Sequence, residues 1–148
     1  MAEADGMVIL EAIIAGSDIT IDGVRIVHDA IYATLPIPLL REHCASDAVG
    51  EVYQLQQRGA DLIAFCETSE TCDEYTHVSP GLRVLSHDRM KLIEVSLVQR
   101  SKSPRTIIIN RRPADPLLAW HRSQIKLLQT ASERINNLRR VLHGQLQN

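Results

Sequence analysis

The sequence predicts a mainly β fold with flanking helices, in which a small, closed or nearly closed antiparallel β-barrel precedes a long C-terminal helix. Over the first two thirds of the chain, short apolar runs are separated by turn residues, a pattern typical of antiparallel strands. From residue 116 onward, apolar residues recur at three- and four-residue steps, which is typical of an amphipathic helix. Aromatic residues make up only 3% of the chain, so we expect an aliphatic core.

The predicted strands follow one another with short connections. They span residues 8–15, the two halves of 19–27 around Asp22-Gly23, and residues 50–55, 62–66, 78–85, 91–98 and 106–109. The Asp-Gly pair and the turn at 58–61, which contains a glycine, are typical hairpin connections. Residues 28–35 predict one or two helical turns, because the prolines at 36 and 38 stop a longer helix.

The C-terminal helix has a clear start signal. Asp115 is a natural N-cap, and Pro116 suits the first helical position. The residues that repeat on one stripe are Leu118, Ile125, Leu128, Ala131, Ile135, Leu138 and Leu142. At 148 residues the chain can bury one core but not two. We therefore expect a β-barrel domain at residues 1–112 and an amphipathic helix at residues 113–148.

Composition limits the classes of function. The net charge is −2 and like charges form no long block, so we expect no nucleic-acid partner. No apolar run approaches the ~20 residues that span a bilayer, and the acidic N-terminus lacks a signal-peptide pattern, so we expect a soluble intracellular protein without a membrane partner. The three cysteines (Cys44, Cys66 and Cys72) are odd in number and lack paired metal spacing, which favours a reducing compartment and predicts no metal or cofactor.

Three segments each place one chemically capable side chain in or beside an apolar, strand-like run. These side chains are His43, Ser79 and Glu94. A serine hydroxyl is a weak nucleophile until a base removes its proton, and that base is usually oriented by a third group. A histidine, a serine and an acid therefore form the usual set for serine acyl transfer, in whatever order they occur along the chain.

The hairpin that contains Ser79 and Glu94 permits a geometric test. If residues 86 and 87 form its tip, Ser79 lies opposite Glu94. If the loop is two residues longer, Ser79 lies opposite Ser96 and Glu94 becomes its diagonal neighbour. Opposed Cβ atoms are ~5 Å apart and diagonal ones ~7–8 Å, so either register lets one imidazole bridge the two side chains.

Ordinary structural roles compete with a catalytic one at each position. Ser79 could be a small polar residue tolerated in a strand, and His43 could belong to a loop. Glu94 is either a solvent-facing charge or a buried one, and a buried carboxylate requires a partner.

Other residues offer rival constellations. Ser86, His87 and Asp88 are adjacent, but they have the composition of a turn. Cys44 follows His43, although adjacent side chains on an extended segment point apart. His28 fits a surface turn, and His77 would share a strand face with Ser79, which makes it a lesser candidate base.

The three segments resemble motifs of the tailed-phage prohead proteases. Residues 37–52 read Ile-Pro-Leu-Leu-Arg-Glu-His, a polar insert and Val-Gly-Glu-Val, and resemble the histidine motif of that family. Residues 79–84 (Ser-Pro-Gly-Leu-Arg-Val) resemble its nucleophile strand, and residues 92–98 (Leu-Ile-Glu-Val-Ser-Leu-Val) its acidic strand. Residues 21–35 resemble the segment that leads into the histidine motif. The resemblance covers roughly residues 7–110.

This resemblance implies a β-barrel of the herpesvirus-protease type, with Ser79 as nucleophile, His43 as general base and Glu94 as the orienting acid. The chain departs from the family pattern by a shorter gap between Ser79 and Glu94 and by Pro80 in place of the usual isoleucine, so Ser86 remains the alternative nucleophile. The basic loop at 99–106 is similar to the arginine-bearing loop of the herpesvirus capsid-maturation proteases. It implies an oxyanion role for Arg100 and Lys102, whereas a solvated basic loop is the alternative.

The function implied by the resemblance is a viral or prophage serine endopeptidase that cleaves scaffold and major capsid proteins during prohead maturation. It would act as a homodimer inside the immature capsid, in the host cytoplasm. One alternative is a catalytically inactive protease-fold protein that serves capsid assembly as a scaffold or binding partner, because fold does not guarantee activity. Another is an unrelated small β-barrel hydrolase or binding module.

Overall fold

A computed structural model describes residues 7–21, 23–69, 72–86 and 88–146. The chain forms two compact units, which meet in sequence between Pro113 and Ala114. The first unit contains all the strands described here, and the second contains the helix. Within these described ranges, no helix is long and apolar enough to cross a membrane.

Ten strands are found in the described part of the first unit. Their bounds are β1 Val8–Ala15, β2 Thr20–Ile21, β3 Val24–Arg25, β4 Ile31–Tyr32, β5 Ile37–Arg41, β6 Cys44–Arg58, β7 Asp61–Thr68, β8 His77–Ser86, β9 Arg89–Val98 and β10 Ile108–Pro113. Eight strands form one sheet in the order β10-β1-β7-β6-β5-β9-β4, with β8 also paired to β9. The other two, β2 and β3, form a small separate hairpin.

The sheet is mixed, which corrects the expectation of a purely antiparallel structure. Strand β5 runs parallel to β9, with Leu40 paired to Ser96, and the short strand β4 is also parallel to β9. Parallel neighbours need a long crossover connection. Here β6, β7 and β8 lie between β5 and β9 in the sequence and provide that connection.

Of the expected closed or nearly closed barrel, the closed form is not found among the described residues. The sheet ends at β10 on one side and at β8 on the other, because β4 and β5 pair with one edge of β9 and β8 pairs with its other edge. An isolated bridge between His77 and Ile107 connects β8 to the segment before β10. The backbone of this segment also bonds to β8 and the residue before it: the amide of Val78 donates to the carbonyl of Thr106, and that of Ile108 to the carbonyl of Thr76. Just upstream, side chains take up backbone amides instead: the amide of Ser103 donates to Oγ of Ser101, and the amide of Arg105 donates to Oγ of Ser103. Such local bonds compete with a β ladder.

The core is aliphatic, as the scarcity of aromatic residues predicts. Its fully buried large side chains come mainly from β1, β5, β7, β8 and β9, and include Leu10, Ile14, Leu39, Ile63, Val78, Leu92, Val95 and Leu97. Alternation along β9 sends Leu92 to one side of the strand and Ile93, which is exposed, to the other. Burial of each such side chain contributes about 1.5–3 kcal/mol, so β9 is held firmly in the middle of the sheet.

Several predicted elements differ in extent from those observed. Strand β6 is longer than predicted and has an irregularity between Val52 and Gln54. The predicted helical turns at 28–35 reduce to a 3-10 turn at His28–Ala30, followed by β4. The hairpin of β2 and β3 turns at Gly23, which has a φ of 81°; the predicted turn residue Asp22 lies outside the described residues.

The second unit is the helix α1, Pro116–Leu146. Its start matches the prediction, because the amide of Leu117 donates a hydrogen bond of 2.9 Å to Oδ1 of Asp115. On the predicted stripe the exposed large side chains are Ile125, Leu128, Ile135, Leu138 and Leu142. The side chain of Leu118 lies outside the described set.

Candidate active site

The hairpin of β8 and β9 brings Ser79 close to Glu94. Ser79 pairs with Ser96, and Gly81 pairs with Glu94. Of the two registers considered from the sequence, the structure has the one with Glu94 as the diagonal neighbour of Ser79. The loop itself is not longer, because pairing continues to Ser86 and Arg89 and the register shifts between Gly81 and Leu82 and between Val84 and Ser86. Pro80 pairs with Val95 on the same hairpin, and a proline is tolerated on a strand such as β8 that has few partners on its second edge.

His43 lies in the tight turn between β5 and β6. Both turn residues have left-handed backbone conformations, with φ of 49° at Glu42 and 59° at His43. Such a conformation costs a residue other than glycine about 1–2 kcal/mol. The turn is held from the neighbouring strand: the amide of Glu42 donates to the carbonyl of Leu97 at 2.9 Å, and the amide of Gln99 donates to Oε1 of Glu42 at 2.7 Å.

The imidazole of His43 lies between the other two side chains. Its Nε2 is 3.1 Å from Oγ of Ser79, and its Nδ1 is 2.5 Å from Oε1 of Glu94. Ser79 is only 6% exposed, and the side chains of Glu94 and His43 are 12% and 45% exposed. The three predicted residues therefore meet in one hydrogen-bonded chain, which runs from a nearly buried hydroxyl to a nearly buried carboxylate.

This geometry matches the requirements of base-assisted nucleophilic attack. With the proton of the neutral imidazole on Nδ1, that group donates to Glu94 and leaves Nε2 free to accept the proton of Ser79. The carboxylate then stabilises the imidazolium that forms when the proton moves.

The Glu94 carboxylate has a partner at each oxygen. Oε1 faces His43, and Oε2 accepts a hydrogen bond of 2.7 Å from the hydroxyl of Ser96. The same hydroxyl accepts a hydrogen bond of 3.0 Å from the backbone amide of His43. Of the two roles considered for Glu94 from the sequence, the structure has the largely buried carboxylate with partners.

Gly81 provides the space that this carboxylate occupies. A Cβ atom added at Gly81 would lie only 2.6 Å from Cδ of Glu94. Carbon atoms pack at about 3.5–4.0 Å, so a side chain at this position would displace the carboxylate from His43. The glycine of the Ser-Pro-Gly sequence is thus explained by a close approach between neighbouring strands.

The rival candidates lie outside this constellation. The hydroxyl of Ser86 donates to Oδ1 of Asp88 at the hairpin tip at 2.8 Å, and His87 lies outside the described residues. His77 is hydrogen-bonded through Nδ1 to the hydroxyl of Thr76 at 2.8 Å. The side chain of His28 is also outside the described set.

The cysteines do not take part in the described hydrogen bonds of the constellation. Cys44 is exposed, and hydrogen bonding to Ser46 lowers the pKa of its thiol. Burial raises the pKa of the Cys66 thiol to about 12 and also raises that of Cys72. The two buried thiols are therefore uncharged at neutral pH.

The loop at 99–106, which was predicted to supply oxyanion donors, is anchored directly before the serine. The amide of Val78 donates to the carbonyl of Thr106 at 2.9 Å. The hydroxyl of Ser101 lies 3.4 Å from the carbonyl of Val78 and 2.6 Å from that of Ser103. The side chains of Arg100 and Lys102 are exposed.

Sequence reasoning gave no role to three residues that shape the site. Ser96 joins the carboxylate to the histidine backbone, Glu42 fastens the histidine turn, and Gly81 leaves room for the acid. One signal was available for Ser96, because residues two apart on a strand share a face and Ser96 follows Glu94 by two. The other two depend on contacts between strands, which the sequence does not specify.

Comparison with known proteins supports the fold. No protein-family model matches the sequence, and no curated protein matches it. The structure is similar to the crystal structure of KSHV protease in complex with a hexapeptide phosphonate inhibitor, with a TM-score of 0.50 and 11% sequence identity. The match covers 74% of this chain and 66% of that chain. The chain thus has a mainly β fold with one C-terminal helix that resembles the fold of a herpesvirus protease.

Proposed function

We propose that this chain is a serine endopeptidase in which Ser79 is the nucleophile, His43 the general base and Glu94 the orienting acid. The observation that carries the proposal is the continuous hydrogen-bonded chain between these side chains, with separations of 3.1 and 2.5 Å. Both lie within or just below the range expected for a nucleophile, its base and the group that orients the base. The similarity of the fold to that of a protease supports the same reaction class.

The proposed reaction follows from the position of each atom. The Ser79 hydroxyl gives its proton to Nε2 of His43 as its oxygen attacks the scissile carbonyl carbon. The imidazolium, stabilised by Glu94, then protonates the leaving amine, and the peptide bond breaks to leave an ester on Ser79. Water, deprotonated by the same nitrogen, hydrolyses that ester and restores the serine.

The oxyanion of the tetrahedral intermediate requires donors that are already in position. We propose that the loop at 99–106 supplies them through Arg100 and Lys102 or the backbone beside them. The hydrogen bonds that fasten this loop to Val78 support the proposal, because Val78 directly precedes the nucleophile.

We propose prohead maturation as the biological role, with scaffold and major capsid proteins as substrates inside an immature capsid in the host cytoplasm. The support is the order of the three motifs together with the herpesvirus-protease type of fold. We also propose that α1 pairs with a second copy of the chain, because its apolar stripe is long and nearly heptad-like.

One observation favours the second candidate, an inactive protease-fold protein that acts as a scaffold or binding partner in assembly. Ser79 is only 6% exposed, and the rigid Pro80 follows it. A substrate carbonyl must reach a hydroxyl that the resting structure largely covers. Reactivity of Ser79 therefore separates the two candidates.

The test is reaction of the full chain with a fluorophosphonate probe, followed by intact mass and peptide mapping. We expect a single adduct at Ser79 and none in Ser79→Ala. Ser86→Ala is the matched control and should label at the wild-type rate, because its hydroxyl is bound to Asp88. A folded wild-type protein that does not label would reject the endopeptidase proposal and favour the inactive candidate. Labelling at Ser86 would move the nucleophile to the hairpin tip.

A further inference from the structure

We infer that Ser96 is a positioning residue of this site, whose hydroxyl fixes the geometry between the acid and the base. The inference rests on the proposed function, since it assigns a role within the same reaction. None of the hydrogen bonds described above joins Ser96 to the hydroxyl of Ser79, which would attack the substrate. Ser96 acts through Glu94 and through the backbone of His43.

The Ser96 hydroxyl donates one hydrogen bond and accepts another. It donates its proton to Oε2 of Glu94 at 2.7 Å and accepts the amide proton of His43 at 3.0 Å. A hydroxyl has one proton to donate and lone pairs to accept, so both bonds form together without competition. Ser96 is also fully buried, with no exposed surface, and water therefore does not compete for either bond.

Together these bonds close a small ring of contacts. Its members are the imidazole and backbone amide of His43, the two carboxylate oxygens of Glu94, and the Ser96 hydroxyl. Because one oxygen faces His43 and the other faces Ser96, the carboxylate cannot rotate without breaking a bond. One side chain therefore bonds both to the carboxylate and to the turn that carries the base.

The strained backbone of His43 makes this support necessary. Residues with left-handed φ persist only where the surroundings hold them there, and the two turn residues Glu42 and His43 are both in that region. The bond from the His43 amide to Ser96 is one of the contacts that hold the turn. Its loss would let the imidazole move relative to Ser79, and a displacement of about 1 Å can lower a rate about 100-fold.

The variants for the test are Ser96→Ala, which removes the hydroxyl, and Ser96→Thr, which keeps it. Thr68→Val is the matched control, because Thr68 is also a buried strand residue whose hydroxyl donates to a backbone carbonyl, that of Val49 at 2.6 Å. Labelling of Ser79 by the fluorophosphonate is followed over a range of probe concentrations. We expect Ser96→Ala to lower the maximal labelling rate about 10- to 100-fold with little change in the half-saturating concentration. Ser96→Thr should retain most of the rate, and Thr68→Val should match wild type.

A second measurement does not depend on activity. The proton shared by His43 and Glu94 in their short hydrogen bond should give a far-downfield proton NMR signal in the Ser79→Ala protein. Adding Ser96→Ala should shift or remove that signal, whereas adding Ser96→Thr should preserve it. If Ser96→Ala does not fold, Ser96→Cys takes its place, since a thiol has a similar size and is a much weaker hydrogen-bonding group.

The outcomes separate this inference from the proposed function. An unlabelled wild-type protein would reject the endopeptidase proposal whatever Ser96 does. If wild type labels at Ser79, unchanged kinetics or an unchanged NMR signal in Ser96→Ala would overturn the positioning role. So would a Thr68→Val protein that slows as much as Ser96→Ala, because the loss would then follow from removing any buried hydroxyl.

Discussion

At the scale of single residues, the site depends on where a few polar atoms sit relative to one another. Ser79, His43 and Glu94 could be selected from the sequence because each is a capable group in an apolar run. Ser96 and Gly81 could not be assigned roles in the same way, because a serine and a glycine in a strand have many ordinary explanations. Gly81 matters through its close approach to Glu94, which depends on the register of the hairpin. Ser96 matters because its bond to Glu94 within β9 is joined by a second bond to the backbone of His43 in another part of the sheet.

Gly81 allows a sharp prediction at this scale. Gly81→Ala should reduce fluorophosphonate labelling about 100-fold, because the added Cβ would lie 2.6 Å from Cδ of Glu94 and force the carboxylate away from His43. The measurement is the labelling rate, with circular dichroism to verify the fold. The matched control is Gly144→Ala, where an added Cβ meets no atom within 4 Å. Wild-type labelling by Gly81→Ala would show that Glu94 can be displaced without consequence.

The sequence could predict which three side chains meet, but it left the hairpin register that brings them together open. Two hairpin registers remained open because the loop at 86–88 has no strong turn signal such as Asn-Gly. The observed register puts Ser96 opposite Ser79, and this choice also brings Glu94 over Gly81. The residues of a hairpin turn help to determine its register, and here they are polar residues without a strong preference for one turn type.

At the scale of elements, the longer strands were predictable, whereas the short strand β4 and the way the strands assemble into a sheet were not. Apolar runs bounded by turn residues located β1, β8 and β9 within a residue or two of their observed bounds. Alternation has no bearing on which strands become neighbours, so the parallel pairing of β5 with β9 could not be read from it. The hydroxyl-rich segment at 101–106 was predicted to lead straight into a strand at 106–109, but its backbone bonds to its own side chains and β10 begins later.

Strand β1 supplies a prediction about stability. Glu11 is buried on β1, and it accepts hydrogen bonds from Asn110 at 2.8 Å and from Arg112, both on β10, and from Arg58 on β6 at 3.4 Å. Burial by itself raises the pKa of Glu11, but the hydrogen bonds to Asn110, Arg112 and Arg58 outweigh it and lower the pKa below its ordinary value. The charged carboxylate thus helps to hold β10 and β6 against β1.

The sign of the pH dependence follows from this lowered pKa. A carboxyl group whose folded-state pKa is depressed stabilises the fold at pH values above its unfolded pKa and loses that contribution as the pH falls through the folded value. Glu11→Gln should lower the free energy of unfolding by about 1–3 kcal/mol at pH 7. In urea denaturation, the difference from wild type should shrink as the pH falls below the ordinary glutamate range. A constant difference across that range would show that the charge of Glu11 is not responsible, and Glu51→Gln provides a more exposed comparison on the same sheet.

At the scale of the whole molecule, the chain combines a β unit containing the candidate site with a helix whose apolar side chains are exposed. Isolated helices are only marginally stable in water, and most helices in proteins gain stability from packing. A long exposed stripe is otherwise a site of association. The sequence predicts the stripe and its start at Asp115, but it does not specify the partner. We propose a second copy, because two-fold dimers are the commonest oligomers.

The proposed dimer yields the prediction at this scale. In sedimentation or light scattering at micromolar concentration, wild type should have twice the 16.6 kDa mass of the chain. Leu128→Glu should shift the protein towards monomer, because it places a charge in the middle of the stripe. The matched control is Asn137→Glu, which adds the same charge on the opposite face of α1 and should remain dimeric. Equal weakening by both variants would point to net charge rather than to the stripe. A monomeric wild type would reject pairing through α1 but leave the chemistry of Ser79 untouched, because every contact of the candidate site described here lies within the first unit.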